Sequence, residues 1–195
     1  MVADCRRFVT LTWQCWLFAV GSVFFAVGTA PGFPSVMGAA VTNILCFVGS
    51  WFFTAAGLIQ LILADPGAGR WSSAIQSLGT VLFNVSTGSA VWAHAVHTER
   101  TDVWAPDALG SLGFLVSGGL ALLLVQAWAP RSRDWQATWI NMIGCLAFAA
   151  SAVGAFVRTT GVTADALLAN VGTFIGALCF LVAALMILPR WSTPH

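Results

Sequence analysis

Long apolar runs, each interrupted by a short segment carrying proline or charge, set the pattern of this chain. Uncharged stretches cover about 9–30, 39–64, 74–97, 106–128, 137–157 and 166–188. A helix needs about 20 apolar residues to cross the hydrocarbon core of a bilayer. The pattern therefore predicts an all-α membrane protein with six transmembrane helices in one domain spanning 1–195. The interruptions include Pro31-Gly32-Phe33-Pro34, Asp65-Pro66-Gly67, Glu99-Arg100-Thr101-Asp102 and Pro130-Arg131-Ser132-Arg133-Asp134. Such segments end helices and are at ease in water or among headgroups. A soluble helical bundle would need a polar outer face on each helix, which these stretches do not offer.

Composition sharpens the picture. Of 195 residues, 58% are hydrophobic and 8% charged, against about 25% charged in soluble proteins. The net charge of +1 supplies no basic field for a nucleic-acid partner. All the basic side chains are Arg, since Lys is absent. With the N-terminus in the cytoplasm, Arg6, Arg7, Arg70, Arg131, Arg133 and Arg190 fall inside, and only Arg100 and Arg158 outside. That distribution obeys the positive-inside rule and predicts both termini in the cytoplasm. Most of the ten Trp also fall near expected interfaces, Trp51 being the exception. Arg6 and Arg7 before an apolar run resemble a signal peptide, but the run is long and Gly28-Thr29-Ala30 is a poor cleavage site, so the segment reads as a retained first helix.

A short motif recurs in every span: Gly, a small residue, two variable residues, Phe, three more, then a small residue. Its Gly and Phe are Gly21/Phe25, Gly49/Phe53, Gly79/Phe83, Gly110/Phe114, Gly144/Phe148 and Gly176/Phe180. Residues i, i+4 and i+8 share one helical stripe. In lipid, helices associate through close approach at small residues, so the stripe reads as a packing device. The second and sixth spans match further: Asn43, Phe47, Gly49, Phe53 and Gly57 parallel Asn170, Phe174, Gly176, Phe180 and Ala184. The expected organisation is three repeated two-helix hairpins in the same orientation, unlike the inverted repeats of many transporters.

The segment 139–189, with Asn141, Gly144 and Phe148, then Asn170, Gly176 and Phe180, and a closing Leu188-Pro189, resembles the YrhK-like membrane domain of small bacterial proteins. That resemblance implies paired helices in a bacterial inner membrane, and brings no assigned activity or catalytic residues.

Several chemistries lack their carriers. The apolar runs place no ionisable residue near a helix centre, where buried charge marks proton relays and voltage sensors. Without Lys there is no Schiff base. Gly-rich phosphate loops, G-x-S-x-G elbows and H-E-x-x-H motifs are missing from the sequence. Five Cys show no metal or disulfide spacing. No cofactor and no metal are therefore expected, although His94 and His97 with Glu99 or Asp102 have ligand chemistry. One candidate polar pocket combines Asn43, Asn84 and Asn170 with His94, His97 and Asp107, Asp107 otherwise reading as a helix N-terminal charge. Those amides serve either as glue between helices or as the lining of a solute cavity.

The leading expectation is a non-enzymatic structural or accessory protein, associating in the bilayer with copies of itself or with a partner subunit. The alternative is a small transporter or channel for a neutral or weakly polar solute, which requires an open cavity at the asparagines. A membrane enzyme is the third reading, and requires His94, His97 and Asp107 to converge.

Overall fold

The computed structural model describes residues 2–92, 96–125 and 128–189, with side chains from Thr10 onward. His94 and Arg190, named above, lie outside the described residues, as do the side chains of Arg6 and Arg7.

Helix α1 (Val2–Thr29) stops before Pro31-Gly32, and a five-residue turn of helix, α2 (Phe33–Met37), follows. Gly38, at φ +83°, then redirects the chain into α3 (Ala39–Leu63), a conformation open to a residue without Cβ. Next come α4 (Ala68–Trp92), α5 (Val96–Thr98), a π-helical segment (Glu99–Trp104) and α6 (Ala105–Leu124). The last two are α7 (Arg133–Gly154) and α8 (Ala166–Ile187). Both begin with a side-chain cap: Trp135 N–H donates to Ser132 Oγ, and Leu168 N–H to Asp165.

Two expected boundaries are corrected. The third helix begins at Ala68, six residues ahead of the expected start at 74. The fourth stretch is helical from Val96 to Leu124, not 106–128, so Glu99-Arg100-Thr101-Asp102 is wound into helix. Pro106 explains the π segment. Its ring displaces the carbonyl four residues back, and the wider π turn immediately before it absorbs that clash.

Each long helix packs on its neighbours in sequence: α1 on α3, α3 on α4, α4 on α6, α6 on α7 and α7 on α8. Contact of α8 with α1 then closes a ring. The most extensive contacts are within α1/α3, α4/α6 and α7/α8.

The ring is polar within and apolar without. Ser22, Ser50, Thr80, Ser111 and Ser117 are almost fully buried, while Ile62, Leu78, Leu123 and Val153 face outward. Such an arrangement suits lipid, where small hydroxylated residues hold helices together. Five stretches are long and apolar enough to cross a membrane: Thr10–Thr29, Ala39–Leu63, Val96–Leu124, Arg133–Gly154 and Ala166–Ile187. The protein is a multi-pass membrane protein. Helix α4 matches them in length, but Ser72, Ser73, Gln76, Ser77, Asn84, Ser86 and Thr87 lower its hydropathy.

Candidate functional site

The glycines and phenylalanines of the recurring motif interlock reciprocally in three helix pairs. A methyl group at Gly21 would stand 2.8 Å from the Phe53 ring, and one at Gly49 would stand 3.0 Å from Phe25. Between α4 and α6 the same exchange joins Gly79 to Phe114 (2.8 Å) and Gly110 to Phe83 (2.7 Å). Between α7 and α8 it joins Gly144 to Phe180 (2.6 Å) and Gly176 to Phe148 (2.7 Å). Each ring thus occupies the space a partner's missing side chain leaves.

The six rings, at most 4% exposed, meet on the axis of the bundle. Phe25, Phe83 and Phe148, one from the first helix of each pair, form a triangle with centroids 5.4 to 6.3 Å apart. Phe180 lies 6.0 Å from Phe53 and 5.6 Å from Phe114, its counterparts in the other pairs. The two sets touch, as in Phe83–Phe114 at 4.9 Å and Phe148–Phe180 at 5.2 Å. Together they make an aromatic septum of mostly tilted and edge-to-face pairs, the geometry aromatic quadrupoles favour.

A cavity lies on each side of the septum, and each takes lining residues from all six long helices. The smaller, of about 240 Å³, reaches Phe18 and Phe180 and carries the amides of Gln14, Gln60, Gln76 and Asn141. We call it the amide vestibule. Gln76 accepts hydrogen bonds from Ser117 (3.1 Å) and Gln60 (3.4 Å). Gln14 is 5% exposed and makes no hydrogen bond among the described residues.

The larger cavity, of about 470 Å³, reaches Phe25 and includes Asp107 and Glu99; it is the acidic vestibule. The loop between α7 and α8 borders it through Val157 and Thr163, which pair as an isolated bridge. That loop is clamped by Phe156, which packs edge-on against Trp104 (4.9 Å) and lies beneath the Arg100 guanidinium (5.1 Å).

Corresponding positions recur around both cavities. Counted back three residues from the motif glycine of their own helices, Cys46, Asp107 and Thr173 are equivalent, and all three line the acidic vestibule. Phe18, Gln76 and Asn141 bear the same relation to Gly21, Gly79 and Gly144, and all three line the amide vestibule. Shared offsets around a closed ring place the two cavities on one axis, with the septum between them.

The sequence-derived polar candidates divide. Asn43 and Asn170 both border the acidic vestibule. Asn43 also donates to Ala90 O across the helix pair (2.8 Å), whereas Asn170 donates to Ala166 O of its own helix (2.9 Å). Asn84 donates to Thr54 Oγ1 (3.2 Å), joining α4 to α3 away from the cavity. His97 is exposed, in a surface recess with Arg100, Thr101 and Thr159. Ten residues of helix separate it from Asp107, roughly 15 Å of rise, so His97 and Asp107 do not converge. His94 lies outside the described residues.

Asp107 requires the main correction. The sequence reading places no ionisable group near a helix centre. Asp107 lies three residues before Gly110, the glycine of α6 that meets the Phe83 ring of the septum, so it is within one turn of the septum level. A charge cluster at 99–102 reads as a loop and moves the apparent start of the helix to Asp107. Counting offsets from each motif glycine would have brought Asp107 to the axis, and Gln76 with it.

No family model, curated protein or solved structure matches the chain.

Proposed function

We propose that this chain is a six-span protein of the bacterial inner membrane that gives a small polar solute a route across it, with the aromatic septum as the barrier. The supporting observation is the pair of coaxial polar vestibules that approach one septum from opposite ends. Apolar constrictions between wet compartments gate by excluding water. Cavities lined by all six helices favour this reading over a purely structural or accessory role, for which packed helices alone would serve. No catalytic step belongs to it.

The finer architecture is part of the proposal. Helix α4 is taken as the sixth span. It faces outward with Leu78, Val81 and Val85, and its ends carry exposed Trp71 and Trp92. Those two Trp are 21 residues apart, about 32 Å of helix, which matches the separation of the two interfacial belts. Three hairpins, each locked by its own Gly–Phe exchange, account for the recurring motif. The likeness of 139–189 to YrhK-like proteins supports the bacterial membrane. The Arg distribution supports both termini in the cytoplasm and the acidic vestibule on the outer face.

The test is solute flux. Protein reconstituted in liposomes is subjected to a glycerol gradient and followed by stopped-flow light scattering. Swelling faster than in protein-free liposomes is expected. Identical rates would return the protein to a scaffold or accessory role, and pull-down of a membrane partner would be the next experiment.

A further inference from the structure

Resting on that route, we infer that the acidic vestibule is a binding site for a small monocation bearing N–H donors, of the primary alkylammonium class. The argument begins with charge. Asp107 and Glu99 both border the cavity, and neither has a hydrogen bond or ion pair among the described residues. No Lys or Arg borders it among those residues. Cys46, at the position equivalent to Asp107 on its own helix, borders the same cavity and brings no positive charge to it. An unpaired carboxyl at membrane depth is costly to ionise, and a cationic ligand would supply the counter-charge that the chain withholds.

Hydrogen-bonding capacity points the same way. Thr29 and Thr87 donate to the carbonyls of Phe25 and Phe83 (2.7 Å each), and Trp104 Nε1 donates to Ala152 O (2.9 Å). Each of these groups has one hydrogen, and each has a protein acceptor for it, Thr87 reaching Ser50 Oγ (3.0 Å) as well as the Phe83 carbonyl. Asn43 and Asn170 likewise turn an N–H to a carbonyl and keep their oxygens. Each of those two amides also keeps one N–H, but with the two carboxylates counted, what the lining offers a ligand is mostly lone pairs.

Two further side chains lack partners. Ser86, 5% exposed, makes no hydrogen bond among the described residues, and Thr42 Oγ1, in a residue 8% exposed, has none either. Both border the cavity. Buried hydroxyls are ordinarily satisfied, so each marks a hydrogen bond that an occupant completes. Phe25 and Trp104 add aromatic surface, which attracts a cation and its alkyl group. A metal ion fits less well, because among the described residues no group of three His, Cys, Asp or Glu could hold one.

The experiment uses radiolabelled methylammonium and the full chain in lipid nanodiscs, measured at equilibrium. Saturable binding with Kd of about 10 mM or tighter is expected, weakened about tenfold or more in Asp107→Asn. Absence of saturable binding to the wild type, or equal binding by a folded Asp107→Asn, overturns the inference. If that variant does not fold, competition on the wild type decides: ethylammonium must displace the label and its neutral analogue ethanol must not. Displacement by both, or by neither, overturns the assignment. Binding needs no passage, so Asp107-dependent binding with no glycerol flux would reject the route while keeping the site. Glycerol flux without methylammonium binding would do the reverse.

Discussion

Gly144 and Gly119 show how much one hydrogen can matter at a helix surface. A Cβ at Gly144 would stand 2.6 Å from the Phe180 ring and 3.0 Å from Cys179, whereas nothing lies within 4 Å of one at Gly119. Gly144→Ala should therefore destabilise the protein by about 1–3 kcal/mol, because the ring has no room to yield. Gly119→Ala should be neutral or stabilising by up to about 1 kcal/mol from helix propensity alone. Thermal unfolding of the two variants in detergent checks the contrast, and equal midpoints would mean that the interlock is slack. At Trp104, replacement by Phe keeps the edge contact with Phe156 but removes the bond to Ala152 O, a loss of about 1 kcal/mol in the same assay. The motif residues were readable from sequence because small and aromatic residues in fixed alternation leave a mark in any apolar helix. The roles of Ser86 and Thr42 were not. A hydroxyl in such a helix ordinarily bonds to its own backbone, and only the fold shows which ones do not.

Among the helices, α4 and the stretch Val96–Leu124 show where sequence reading succeeds and where it stops. Length and apolarity located the long helices, but a window of hydropathy cannot separate a polar face turned inward from one turned to water. Ser72, Ser77 and Ser117 face neighbouring helices, Ser77 donating to Gly57 O (2.7 Å) and Ser72 to Ser117 O (2.9 Å). The number of spans has a parity that decides the matter. If α4 crosses the membrane, a green fluorescent protein fused after residue 189 is on the same side as one fused at the N-terminus, and both fluoresce in the cytoplasm. Five crossings would put the C-terminal fusion outside, where it stays dark. The connection 99–102 was misread for a physical reason: charged residues at a helix end look like a loop unless the following proline is recognised as forcing a π turn.

For the molecule as a whole, the septum is the feature that conduction by the proposed route must overcome. Phe148 touches Phe25, Phe83, Phe114 and Phe180, so Phe148→Leu trims the most connected ring while leaving an apolar residue that still packs. Glycerol flux in liposomes is expected to rise about tenfold, equivalent to about 1.4 kcal/mol off the barrier. An unchanged rate would place the barrier elsewhere. The closed ring has one more consequence, which concerns synthesis. Every long helix packs on its sequence neighbours, the ring closes where α8 meets α1, and ring pairs such as Phe25–Phe148 and Phe53–Phe180 reach across it. Before α7 and α8 are made the ring is an open arc, in which Phe25 lacks Phe148 and Phe53 lacks Phe180. Four of the six rings can meet early, but the septum is whole only when Phe148 and Phe180 join them, so on the proposed route an unfinished chain would carry a gap.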